Sequence, residues 1–135
     1  MANALFEKAR ENFLGGDIDW DANTIKLVFV DHEADTPLPA SDIALSDILA
    51  AARIATSDAF TGKTKTSGVA DADDVTVAAV TGAQFESIVI YKDTGVETTS
   101  LLIAFIDTAT GLPCTPNGGS ITVQWQATDP KIFKL

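Results

Sequence analysis

The chain has 135 residues, 46% of them hydrophobic, which fits a single domain with a core of its own. Nineteen acidic residues against nine basic ones leave a net charge of −10, so phosphate backbones and anionic lipid surfaces are repelled and neither nucleic acid nor membrane is an expected partner. A single cysteine, Cys114, rules out an intrachain disulfide.

The acidic surplus is uneven: residues 1–74 hold fourteen acids and six bases, and residues 75–135 hold five and three. No segment approaches the length of an apolar membrane span. Glu7 and Glu11 interrupt any signal-peptide core, so synthesis and folding in the cytoplasm are expected.

In chain order, residues 3–14 predict a short N-terminal helix, with Asn3 as its cap and Gly15-Gly16 as its stop. Leu5, Phe6, Ala9, Phe13 and Leu14 fall on one face, which needs a sheet or a neighbouring subunit to cover it. Residues 24–30 predict a strand, apolar on both faces and so covered on both sides. Residues 32–41 are polar and broken by Pro37 and Pro39. Within 42–52, Ser46 is placed to cap a helical turn over 47–52. Residues 53–60 read as a strand, and 63–67 as an edge strand guarded by Lys63 and Lys65.

Five further runs follow, at 75–80, 87–92, 100–106, 120–125 and 131–135, separated by turns rich in Gly, Asp, Asn and Pro. That rhythm predicts a mainly β protein, an antiparallel two-sheet sandwich of jelly-roll or immunoglobulin-like type, forming one domain over 1–135.

Groups able to do chemistry are few. The one histidine, His32, lies in an acidic loop beside Glu33 and reads as a solvated side chain. No Gly-x-Ser-x-Gly elbow accompanies it, and the Cys and His needed for a zinc site are too few. Gly62-Lys63-Thr64 echoes a phosphate-binding loop, but Ser57 stands where the first glycine belongs. Asp17, Asp19 and Asp21 start like a calcium loop, but Ala22 and Val28 occupy the positions of its glycine and closing glutamate. Asp71, Asp73 and Asp74 form a second acidic cluster, also read as turn carboxylates. Trp20, Trp125 and Tyr91 are candidates for a sugar platform, with packing as the simpler role. The expectation is a protein with no enzymatic activity, no cofactor and no metal.

Ala4-Leu-Phe-Glu-Lys-Ala-Arg-Glu-Asn-Phe-Leu-Gly-Gly-Asp-Ile-Asp-Trp20 and Thr24-Ile-Lys-Leu-Val-Phe-Val-Asp31 resemble the opening of small structural proteins of tailed-phage genomes. The runs 69–76, 88–95, 102–113 and 115–119, and the ending through Trp125 and Lys131-Ile-Phe-Lys134, are similar to that family as well. The resemblance implies a virion component, with a capsid cement or decoration protein as the specific expectation. It would sit in many copies on the outer capsid surface, bound to the major capsid protein and self-associating as a dimer or trimer. A tail or head–tail accessory part, and a module binding carbohydrate or a host surface, are the alternatives. Candidate docking residues are Leu5, Phe6, Phe13 and Trp20, and Ile132, Phe133 and Leu135 of the last strand, which could pair with a partner's sheet edge.

Overall fold

β-Branched and aliphatic side chains pack best on a pleated surface, and the longest such runs form the centre of the sheet. The computed structural model describes residues 3–135. Its main sheet is antiparallel, in the order β1 (Ala4–Leu5), β7 (Leu102–Ile106), β6 (Ser87–Lys92), β2 (Ile25–Val30), β3 (Arg53–Thr56). Two ribbons, β4 (Val69–Ala70) with β9 (Phe133–Lys134) and β5 (Val75–Val77) with β8 (Ile121–Val123), complete the strands among the described residues. One helix, α1 (Glu7–Gly15), joins β1 to the loop before β2. The fold is mainly β and antiparallel, as the turn-punctuated runs predict.

The register of β2 against β6, from Ile25 opposite Lys92 to Val30 opposite Ser87, sorts side chains onto two faces. Ile25, Leu27, Phe29, Ile88 and Ile90 share one face with Ala104 and Ile106 of β7. Val28, Val30, Ser87, Val89 and Phe105 share the other. Both faces are buried through β2 and β6, so the strand at 24–30 is covered on two sides as predicted. On the first face Phe85 stacks on Phe29, with centroids 4.3 Å apart and rings 6° from parallel. Across the second face runs the segment 31–52, carrying two 3₁₀ turns, Leu45–Asp47 and Ala50–Ala52. The His32 ring lies on Phe105 at 5.9 Å, and Leu45, Ile48 and Ala52 are buried.

Several boundaries differ from expectation, each for a local reason. The helix starts at Glu7, with Phe6 in the capping position. Ala4 and Leu5 pair instead with Phe105 and Ala104, and the Asn3 side chain binds the backbone of Asp107 and Thr108. An exposed sheet edge thus takes the residues that helical spacing had claimed. The helix stops as predicted: Gly16 adopts a φ of 81°, and its N–H returns to Asn12 and Phe13. Leu14, assigned to the apolar face, is 92% exposed.

The helical turn expected over 47–52 is replaced by the two 3₁₀ turns, and the cap is Asp47, whose carboxylate accepts the N–H groups of Ile43 and Ala44. β3 ends at Thr56 because the Ser57 hydroxyl accepts the Leu27 N–H that a longer ladder would use. The edge strand expected at 63–67 is a single bridge, Thr64 with Asp71, followed by a 3₁₀ turn at Thr66–Gly68. The second layer is therefore two short ribbons and loops.

Phe29→Ala or Phe85→Ala is expected to cost about 3–5 kcal/mol, as for other buried aromatic truncations, whereas Leu14→Ala should stay within about 0.5 kcal/mol. Urea unfolding midpoints of the three variants check this contrast.

Candidate interaction surfaces

Apolar side chains that look like docking residues in a sequence are often claimed by the chain's own core. Leu5, Phe6, Trp20 and Phe133 are all buried here, and Phe6 is completely so. Phe13 and Ile132 are half-buried against the same core, and Leu135 alone of the seven is well exposed. The helix face packs on its own sheet. The C-terminal strand also finds its partner at home, since Phe133 and Lys134 pair with Ala70 and Val69.

The aromatic candidates are similarly engaged. Trp20 meets Phe133 and Phe60 edge-on, at 5.3 and 6.1 Å, and its indole N–H donates to the Asp71 carbonyl. Trp125 is half-buried against Phe60 and donates its indole N–H to the Asp73 carbonyl. His32 is packed rather than solvated: its Nε2 lies 2.8 Å from the Ser87 hydroxyl. At Gly62 a φ of 63° and the Asp73 carboxylate, 2.5 Å from where a Cβ would sit, require glycine for turn packing. Lys63 next to it donates to the Asn23 carbonyl.

The aspartates have a common employment. Asp19 accepts the N–H groups of Asp21 and Ala22, Asp31 that of Glu33, Asp74 that of Trp125 and Asp93 that of Gly95. Asp35 accepts from Leu49, Asp42 from Leu38, and Asp47 from Ile43 and Ala44. Short acidic side chains thereby hold the loops that connect short strands. Among the described residues no group of three or more His, Cys, Asp or Glu is placed to hold a metal ion.

A few charged side chains show what the loops cost or contribute. The Arg53 guanidinium donates to the carbonyls of Leu45 and Ile48 and pairs with Glu97 at 2.6 Å, tying the 3₁₀ turns to β3. Lys26 and Asp93 pair at 2.9 Å, which raises the lysine pKa and lowers that of the carboxylate. Asp42 is different: partial burial, reinforced by Asp47 and Asp35 nearby, raises its pKa despite the bond from Leu38.

Two surface features remain. The first is a groove of about 1400 Å³ between the first face of the sheet and the C-terminal segment. Leu5, Phe29, Ile88 and Ile106 line one side, and Ile121, Val123, Trp125 and Ile132 the other. It runs into a smaller apolar pocket of about 320 Å³ formed by Leu5, Arg10, Phe13, Leu14, Lys134 and Leu135. The second feature is the segment 31–52, where Leu38, Ile43 and Leu49 are 52%, 44% and 58% exposed. Sequence reasoning passed over both, because the apolar residues of 38–49 follow no helical or strand period and the groove is made by distant segments.

Compared with protein-family models and with curated proteins, the sequence matches none.

Two outcomes test the electrostatics. Arg53→Met is expected to cost about 2–3 kcal/mol, since two carbonyls lose a charged donor. Guanidinium unfolding measures it. For Asp42, the raised native pKa favours the protonated form, so its stabilising contribution is full below the unfolded value of 3.8 and is lost as pH rises through the native pKa. Asp42→Asn should therefore stabilise by a few tenths of a kcal/mol at pH 7, after solvent screening, with the gain vanishing toward pH 3. Thermal melts of both proteins across that range read the difference.

Proposed function

We propose that this chain is a non-enzymatic structural protein of a tailed-phage particle, a decoration protein that binds the outer shell in many copies and stabilises it. The resemblance of most of the chain to small phage structural proteins supports this reading. So does the way the fold uses its polar residues. Aspartates, both indoles and His32 are hydrogen-bonded into loops and core contacts, and this internal employment is the observation that carries the proposal.

A lattice-binding part gains affinity from repetition. Weak contacts on each copy multiply when neighbouring sites are occupied together, so a stiff module with modest docking surfaces suffices. Stiffness is supplied by a sheet buried on both faces and by loops pinned through carboxylate-to-backbone bonds. The partner in this reading is the major capsid protein.

Purified chain added to expanded shells that lack it is expected to bind saturably, in a fixed ratio to the shell subunit, and to raise the temperature at which the shells release DNA or fall apart. Failure to bind such shells, with no effect on their heat tolerance, would overturn the proposal. Binding confined to purified tails or connectors would move the chain to that part of the particle.

A further inference from the structure

Cationic side chains are scarce in this chain, and seven of the nine have partners inside it. Lys8, Lys26, Arg53, Lys65 and Lys131 form ion pairs, and Lys63 and Lys92 donate to the carbonyls of Asn23 and Asp17. The side chains of Arg10 and Lys134 make no such contact among the described residues. Both line the large groove and the small apolar pocket that opens from it. Lys131 lines the groove as well, and no carboxylate side chain does. On a protein of net charge −10, the two cations with no ion pair among the described residues, Arg10 and Lys134, thus meet at one apolar groove.

The opposite combination lies on the segment 31–52. Between Lys26 and Arg53 the sequence holds Asp31, Glu33, Asp35, Asp42 and Asp47 and no Lys or Arg. Three of the exposed large apolar side chains, Leu38, Ile43 and Leu49, belong to this segment. Three of its carboxylates accept the backbone N–H groups of those same residues, so each leucine or isoleucine is presented beside a fixed negative charge. Partial burial raises the Asp42 pKa, and the neighbouring carboxylates Asp47 and Asp35 add to that rise.

The two features are kept apart within one chain. The acidic segment crosses the second face of the sheet, over Ser87 and Phe105, whereas Leu5, Phe29, Ile88, Ala104 and Ile106 of the first face line the groove, with Phe105 at its border. Pro39 meets the start of α1 through the Glu7 N–H, while Leu14, at the far end of that helix, borders the small pocket. Leu38, Ile43 and Leu49 stay exposed and line neither the groove nor the small pocket of their own chain.

We propose that the groove around Arg10, Leu14 and Lys134 receives the acidic apolar segment 38–49 of a second copy of this chain, in a head-to-tail contact that closes into a ring. Unlike patches meeting in this way form a heterologous interface, which propagates until the rotation closes. Apolar burial of Leu14 against Leu38, Ile43 and Leu49 supplies attraction, and the charges set orientation and the approach of the two surfaces.

The test uses the purified full-length chain alone, so its outcome is separate from shell binding. Sedimentation velocity of wild type is expected to show a concentration-dependent assembly of three or more chains, weakened at least tenfold as ionic strength rises from about 0.05 to 0.5 M. A groove variant, Arg10→Glu with Lys134→Glu, and a loop variant, Leu38→Ser with Leu49→Ser, should each sediment as monomers. Mixed together they should form a dimer and stop, because one intact groove meets one intact loop. Circular dichroism verifies folding; should either double variant lose its native spectrum, Leu14→Ser and Leu49→Ser carry the same test with at least tenfold weaker association. A monomeric wild type, variants that assemble like wild type, or a mixture that stays monomeric would overturn the proposal.

Discussion

A line of aromatic rings in contact holds the second layer of this protein in place. Phe13 touches Phe133 at 5.9 Å, Phe133 touches Trp20 at 5.3 Å, Trp20 touches Phe60 at 6.1 Å, and Phe60 touches Trp125 at 5.7 Å. The rings come from α1, β9, the acidic loop before β2, the link after β3 and the segment after β8. The ribbons they join have strands of only two or three residues, too short to stand in water by themselves. Each indole is anchored at its polar end to the carbonyl of an aspartate between the two ribbons, Asp71 or Asp73. The main sheet supplies its own stability through β2, β6 and β7. The rest of the fold depends on this aromatic contact line.

How much of the fold is legible in the sequence follows from that division. The runs at 24–30, 87–92 and 100–106 foretell β2, β6 and β7 to within two residues, because long apolar stretches admit few other uses. The second layer is far less legible. Val75 to Val80 reads as one strand, yet the ladder stops at Val77, and Ala79 adopts a φ of 53°. Short segments take their conformation from distant partners, as Thr64 does from Asp71 and Phe133 from Ala70. The same nonlocality explains the helix start: Ala4 and Leu5 are helical by spacing and extended by virtue of the open edge of β7.

Docking residues are the hardest to read for a related reason. An apolar side chain carries no mark saying whether its own core or a partner will cover it. Leu5, Phe6, Trp20 and Phe133 are used internally, while Leu38, Ile43 and Leu49 face solvent from a segment with no period to notice. Charge was the better guide. Six of the fourteen acids at 1–74, Asp19, Asp31, Asp35, Asp42, Asp47 and Asp74, hold loops by accepting backbone N–H groups. Net negative charge favours solubility in a chain of this kind.

A rigid frame, loops fixed by their own carboxylates and a few exposed apolar patches are what the proposed place in a particle would require. The most direct measurement is the copy number of this chain in purified particles, by quantitative mass spectrometry with the particle imaged at high resolution. A number comparable to that of the shell subunit, with density on the outer capsid surface, is the expected result. Absence from the particle, or a handful of copies confined to the tail or connector, would contradict it.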